Sequence, residues 1–223
     1  MTKKEKAKLI GKILDKYFPD PAVPLKHDDA YTLLVAVVLS ARNTDAKVNK
    51  ITPELFAKAS TPKDMVKLSI DEIKTIIRPC GLSPTKAKAL WHLSKILDEK
   101  YKGKVPQSFH ALEELPGVGH KTASVVMAQA FHHPAFPVDT HIHRCAKRWG
   151  LSSGKNVELT ERDLKRVFPS KKWIKVHLQI IYFARQYCSA RSHDAAKCPI
   201  CSILTKSKKV VKVRSKRRKR SSK

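Results

Sequence analysis

Leu115-Pro116-Gly117-Val118-Gly119-His120-Lys121-Thr122-Ala123 is the stretch on which the reading of this 223-residue chain turns. It lies between two helical patterns, and its glycines permit a tight turn that side chains would block. The reading is a helix-hairpin-helix. Backbone N–H groups at the start of the second helix are unpaired and the helix dipole is positive there, so Gly117, Val118 and Gly119 offer a socket for a phosphate. For any Pro-Gly-x-Gly turn the alternative is a plain packing corner between helices.

Lys121 falls in the first turn of that second helix, where the positive helix end and neighbouring cations such as Arg144 disfavour an ammonium. An amine freed in this way attacks aldehyde-like carbons and gives a Schiff base. The alternative is a solvated cation or a phosphate contact. Eighteen residues after Lys121 stands Asp139, within Val138-Asp139-Thr140-His141-Ile142-His143-Arg144. Asp139 suits a helix N-cap, and a carboxylate so placed stays ionised, ready to stabilise a sugar oxocarbenium ion or steer a proton.

Working outward, apolar spacing is helical almost everywhere, as in Tyr31, Leu34, Val35, Val38 and Leu39, and no convincing alternating strand is found. Helices are expected near 4–18, 28–41, 45–59, 62–68, 70–78, 84–101, 108–114, 119–131, 140–149, 157–168 and 171–187. Thr61-Pro62 and Ser83-Pro84 read as hydroxyl caps before a first-turn proline, and Ser69 with Glu72 reads as a capping box. The fold class is all-α.

Charge supplies the partner. Forty-six Lys and Arg against 19 Asp and Glu give a net charge of +27, which calls for a polyanion, nucleic acid first. Eleven of those cations fall in 206–223, a stretch without an acid, and the rest of the chain is strongly basic as well. With 42% hydrophobic residues and only 7 glycines, collagen-like and glycine-rich linker classes are excluded. No apolar run approaches the ~20 residues that a bilayer requires, and the start lacks the apolar segment of a signal peptide, so an intracellular chain without a membrane partner is expected. Five cysteines in a reducing compartment are poor disulfide material, and the grouping of Cys188, Cys198 and Cys201 suggests a metal.

Leu115 to Val126, followed by Val138 to Arg144, resembles the endonuclease III family of DNA glycosylases. Leu39-Ser40-Ala41-Arg42-Asn43-Thr44-Asp45, Gly81-Leu82, Gly103-Lys104-Val105-Pro106 and Gly154-Lys155-Asn156-Val157-Glu158 are similar to the family pattern in the same order, so the resemblance spans roughly residues 5–205. It implies a two-lobed helix-hairpin-helix glycosylase fold: a six-helix barrel lobe over 22–133, a second lobe from 1–21 and 134–205, and a basic disordered tail over 206–223. Damaged double-stranded DNA would lie in the cleft between the lobes. It further implies a monomer acting in base excision repair, removing oxidised pyrimidines and cleaving the abasic site, with Lys121 as the Schiff-base nucleophile at the sugar C1′ and Asp139 as its essential carboxylate. Such an enzyme would work in the cytoplasm at the nucleoid, or in a nucleus if the source is eukaryotic. A non-catalytic architectural DNA binder, using the same hairpin and tail, is the reading from another class.

An enzyme acting on a base must take it out of the stack, and something must fill the hole. In the family a glutamine and a leucine do so; Leu82 matches the leucine, but Arg42 stands at the glutamine position. Arginine stacks and donates hydrogen bonds yet cannot accept one, so contacts to the orphaned base must differ. The family's four-iron four-sulfur cluster is held by four cysteines with six, two and five residues between them. Here nine residues separate Cys188 from Cys198 and two separate Cys198 from Cys201, no cysteine follows, and the fourth place is Ser207. A degenerate site is the expectation; completion by His193, a weaker three-ligand cluster, and zinc are the alternatives. No organic cofactor is expected.

Overall fold

The computed structural model describes residues 1–205; the tail over 206–223, and Ser207 within it, lie outside the described residues. Among the described residues the chain is helical and has no strand. Eleven α-helices are α1 (Lys3–Tyr17), α2 (Ala30–Ser40), α3 (Asp45–Lys58), α4 (Pro62–Met65), α5 (Ile70–Ile76), α6 (Ser83–Tyr101), α7 (Phe109–Glu113), α8 (His120–Gln129), α9 (Thr140–Arg148), α10 (Val157–Val167) and α11 (Trp173–Gln186). A 3-10 turn at Ser170–Lys172 leads into α11, and a last helical segment covers 199–205.

Caps explain where most of these begin. The side-chain oxygens of Thr2, Asp29, Thr44, Thr61, Ser69, Ser108, Asp139 and Asn156 each accept from a backbone N–H of the first turn they precede. Ser69 and Glu72 form the expected capping box, and Thr61 caps α4 with Pro62 in the first turn. The cap expected at Ser83 is not formed. Ser83 is already helical, and Leu82 holds the cap position in a left-handed conformation at φ +63° with no side-chain bond to the helix. The segment 199–205, for which the sequence reading has no helix, is too short to show a periodic face.

The chain divides into two compact units, Val23–Pro137 and, discontinuously, Met1–Ala22 with the chain from Val138 onward. The continuous unit is built around α2, whose residues from Tyr31 to Leu39 are all buried, as befits a helix apolar on every side. Helices α3, α6 and α8 pack on α2, while α4 and α5 pack on α6. In the discontinuous unit α11 packs on α1 and α9. Ile10, Leu14, Trp149 and Phe183 are among its fully buried side chains, and Gln179 Nε2 donates to Asp15 Oδ1 at 3.0 Å and to the Phe18 carbonyl at 2.8 Å. No helix among the described residues is long and apolar enough to cross a membrane.

Candidate functional site

The hairpin joins α7 to α8 through a turn in which the Val118 N–H donates to the Leu115 carbonyl at 3.1 Å. Gly117 makes this turn possible: φ is +79°, and a Cβ there would stand 2.9 Å from the Ala89 Cβ. Gly119 serves otherwise. Its φ of −99° suits any residue, and nothing lies within 4 Å of where its Cβ would be, so the expectation that both glycines serve the turn holds for Gly117 alone. As the N-cap of α8, Gly119 brings no capping side chain and leaves the approach to the first turn open. Val118 turns its side chain into the core, so a contact made from this position is a backbone contact.

Lys121 is the second residue of α8 and exposed, while Ala123 to Ala128 behind it are buried. The amine is therefore presented on the solvent face of a helix whose other face is anchored. His120 stacks on Phe109 with ring centroids 6.0 Å apart, and its Nδ1 lies 2.8 Å from Glu113 Oε1, tying the start of α8 to α7.

Two loops of the same unit carry Arg42 and Leu82. Both residues are exposed and both have left-handed backbones, φ +58° and +63°, a conformation that costs a side-chain-bearing residue about 1–3 kcal/mol and persists only where neighbours impose it. Leu82 is 51% exposed, unusual for a large apolar side chain held in a strained turn. The neighbours are Asn43 and Lys86, neither of which the sequence reading assigns a role at the site. Asn43 Nδ2 donates to the Leu39 carbonyl at 2.9 Å, and its Oδ1 accepts from the Gly81 N–H at 3.3 Å, linking the two loops. Lys86, only 5% exposed, donates from Nζ to the carbonyls of Leu39 at 2.8 Å and Ala41 at 2.7 Å, which are orphan acceptors at the end of α2. Burial pulls this amine below the ordinary lysine value, against an opposing effect of Cys80 and with the charge of Lys47 adding to it. Helical spacing puts Lys86 on the buried face of α6 with Ala87 and Leu90, but spacing names no acceptor for its amine.

In the discontinuous unit Asp139 is the N-cap of α9, Oδ1 accepting from the Ile142 N–H at 2.8 Å. Arg144, one turn on, donates from Nε and Nη2 to the Cys188 carbonyl at 3.3 and 3.1 Å and from Nη2 to His141 Nδ1 at 3.2 Å, so its guanidinium braces a loop. That loop carries the cysteines. Cys188, Cys198 and Cys201 are buried and free of disulfides, and His193 joins them: Nε2 lies 3.4 Å from Cys201 Sγ and 3.7 Å from Cys188 Sγ, with the two sulfurs 4.0 Å apart. All four ligand atoms lie within 4.8 Å of one another. The sulfurs of Cys145, Cys198 and Cys201, and then Arg148, hold the Cys188 thiol far below its usual range, while hydrogen bonding to Cys188 pushes Cys145 and Cys201 up.

The sequence pattern of the HhH-GPD superfamily of base excision DNA repair proteins matches residues 35–170, which include the hairpin, both strained loops and Asp139. The endonuclease III of Bacillus subtilis is 41% identical over 193 residues, covering 86% of this chain and 88% of that protein. The chain belongs to the endonuclease III family. Treponema pallidum endonuclease III is 44% identical over 188 residues, covering 84% of this chain and 89% of its own. Among solved structures, a trapped endonuclease III–DNA covalent intermediate is 40% identical, with a TM-score of 0.86 over 90% of this chain and 94% of that one. A non-covalent endonuclease III–DNA complex is similar at a TM-score of 0.88, covering 95% of this chain and all of the other. The all-helical fold is thus that of endonuclease III.

Proposed function

We propose that this base excision repair glycosylase is bifunctional, removing oxidised pyrimidines from double-stranded DNA and cleaving the resulting abasic site through a Schiff base on Lys121. The observation that carries the reading is an exposed lysine in the first turn of a helix that no side chain caps, directly after a turn that only glycine can make. The open first turn suits a backbone phosphate, which would set the register of the DNA without reading sequence. Its relative, the trapped endonuclease III–DNA intermediate, is covalent, which supports a nucleophile on the protein.

The chemistry then runs on this chain's own groups. The Lys121 amine attacks C1′ as the glycosidic bond breaks; the base leaves with the bonding pair and takes up a proton, and the amine gives one up. The sugar ring opens to an imine. Loss of the C2′ proton then expels the 3′ phosphate by β-elimination, and water hydrolyses the imine to return the amine. Asp139 is assigned the carboxylate that stabilises positive charge on the sugar; the cap bond uses Oδ1 and orients the group.

Leu82 and Arg42 are assigned to the space left by the extruded base. A large apolar side chain held out in solvent by a strained backbone is suited to a wedge, and a guanidinium from the loop that Asn43 ties to it is suited to stack on and donate to the orphaned base. The relatives described are bacterial, which favours an enzyme working at the nucleoid. Borohydride reduction on DNA holding an abasic site or an oxidised pyrimidine tests the reading: wild type should be trapped covalently and Lys121→Ala should not. Full trapping and cleavage by Lys121→Ala would remove the nucleophile assignment. Tight binding with no trapping by wild type would favour an architectural binder.

A further inference from the structure

We propose that Cys188, His193, Cys198 and Cys201 bind one tetrahedral divalent ion of the zinc class, in place of the four-iron cluster that the family resemblance implies. The donor set argues first. Three thiols and one imidazole occur in the order Cys-x4-His-x4-Cys-x2-Cys, and no cysteine follows Cys201 to supply a fourth thiolate. His193 sits midway in the nine-residue stretch between Cys188 and Cys198, the gap that is long by comparison with the family spacing.

Distances then decide between a cube and a single ion. In a four-iron cube each ligand rides on a different iron, so the ligand atoms stand around a body several atoms wide. A single zinc ion takes sulfur at about 2.3 Å and nitrogen at about 2.0–2.1 Å, and tetrahedral angles then set ligand atoms about 3.5–3.8 Å apart. Here the separations among Cys188, His193 and Cys201 are 4.0, 3.7 and 3.4 Å, and no pair in the set of four, Cys198 included, exceeds 4.8 Å. That spacing leaves room for one ion and none for a cube.

The surroundings suit the charge of such a centre. Three thiolates and a neutral imidazole around a divalent ion carry one net negative charge, and Arg148 Nη1 lies 3.5 Å from Cys188 Sγ while donating to the carbonyls of Cys188 and Ser189. Arg144 holds the Cys188 carbonyl as well. A guanidinium on a ligating sulfur, with the ligand's backbone fixed by two arginines, is an outer layer that orients a metal ligand. Burial of all three cysteines makes the site closed and structural rather than open to substrate. Cys145, against Cys188 but outside the set of four, is not required.

Metal content of the full chain, purified from cells supplied with both iron and zinc, tests this. Wild type should be colourless, hold about one zinc per chain and contain no acid-labile sulfide. After chelation and cobalt(II) titration it should develop the intense visible bands of a tetrahedral site and thiolate-to-metal charge transfer. Cys145→Ser should retain both properties. His193→Ala should weaken cobalt binding by more than the roughly 10–100-fold that loss of an outer partner costs, and His193→Cys should restore it with a shifted spectrum. Four irons and matching sulfide per chain would overturn the proposal, as would wild-type protein that takes up neither zinc nor cobalt, or undiminished cobalt binding in a folded His193→Ala.

Discussion

At Asp139 an observed helix cap and a proposed reacting carboxylate fall on one side chain, and two substitutions separate them. Asparagine caps as well as aspartate does, so Asp139→Asn should melt within a degree or two of wild type while base removal and trapping fall severely. Asp139→Ala loses both functions and should cost about 1 kcal/mol in addition, which thermal unfolding will show as a lowered midpoint. Wild-type turnover in Asp139→Asn would reduce the residue to a cap. Lys86 makes a different case. Lys86→Met keeps the stem and removes the three donors, leaving the Leu39 and Ala41 carbonyls to the Asn43 amide alone, a loss of about 1–3 kcal/mol. Because the same bonds set the loops of Arg42 and Leu82, excision of a base from duplex DNA should slow more than trapping on an abasic site already formed. Equal slowing of both would deny the clamp any part in base extrusion. Lys121 and Gly117 were legible in the sequence because a turn residue and a helix start are local features. Lys86 was not, because its two acceptors lie 45 and 47 residues away and forty-five other basic residues hide one buried cation.

Short elements were readable wherever a cap announced them. The four residues of α4 and the seven of α5 have no periodicity worth the name, yet Thr61-Pro62 and Ser69 with Glu72 place both starts. The same rule misplaced the start of α6, because Ser83 offers a hydroxyl that the helix does not use when Leu82 takes the cap position with a left-handed backbone. A cap motif therefore marks helix starts well except where a left-handed, exposed residue takes the cap position. Between α1 and α11 the link is polar: Asp15 accepts from Gln179, with Lys175 Nζ at 3.3 Å and Lys172 Nζ at 3.7 Å. Its carboxyl is held below the ordinary value, by the Gln179 hydrogen bond foremost and by the lysines, against a partial burial that raises it. A carboxylate depressed on folding contributes stability that is fully present above its unfolded value of about 3.9 and is lost as pH falls through the lower folded value. Asp15→Asn should therefore be less stable than wild type at neutral pH, and the difference measured by urea unfolding should shrink as pH drops below about 4. A difference that stayed constant into that acid range would mean that Asp15 acts through shape rather than charge.

For the whole molecule, helical periodicity foretold an all-α chain but not which helices share a unit. Nothing local says that Met1–Ala22 leaves the helices that follow it to join the chain from Val138 onward, since the contacts that decide it, such as Gln179 to Asp15, bridge more than 160 residues. The partner, by contrast, was legible in composition alone, because a charge of +27 is a long-range property that needs no fold to be counted. Eleven of the cations lie in 206–223 and none of the residues assigned to chemistry does. Each cation that neutralises a phosphate releases counterions, adding about 0.9 to the salt slope of binding and no sequence information. Deleting 206–223 should then weaken DNA affinity at low salt and flatten its dependence on salt. Single-turnover cleavage with substrate saturating should stay within a few-fold, about 1 kcal/mol in barrier, since Lys121, Asp139 and the hairpin remain. The two readouts move independently, so the experiment tells an electrostatic arm from a part of the catalytic machinery. Abolished chemistry in a well-folded truncation would place essential residues in the tail, and an unchanged salt slope would mean that its cations never meet the phosphates.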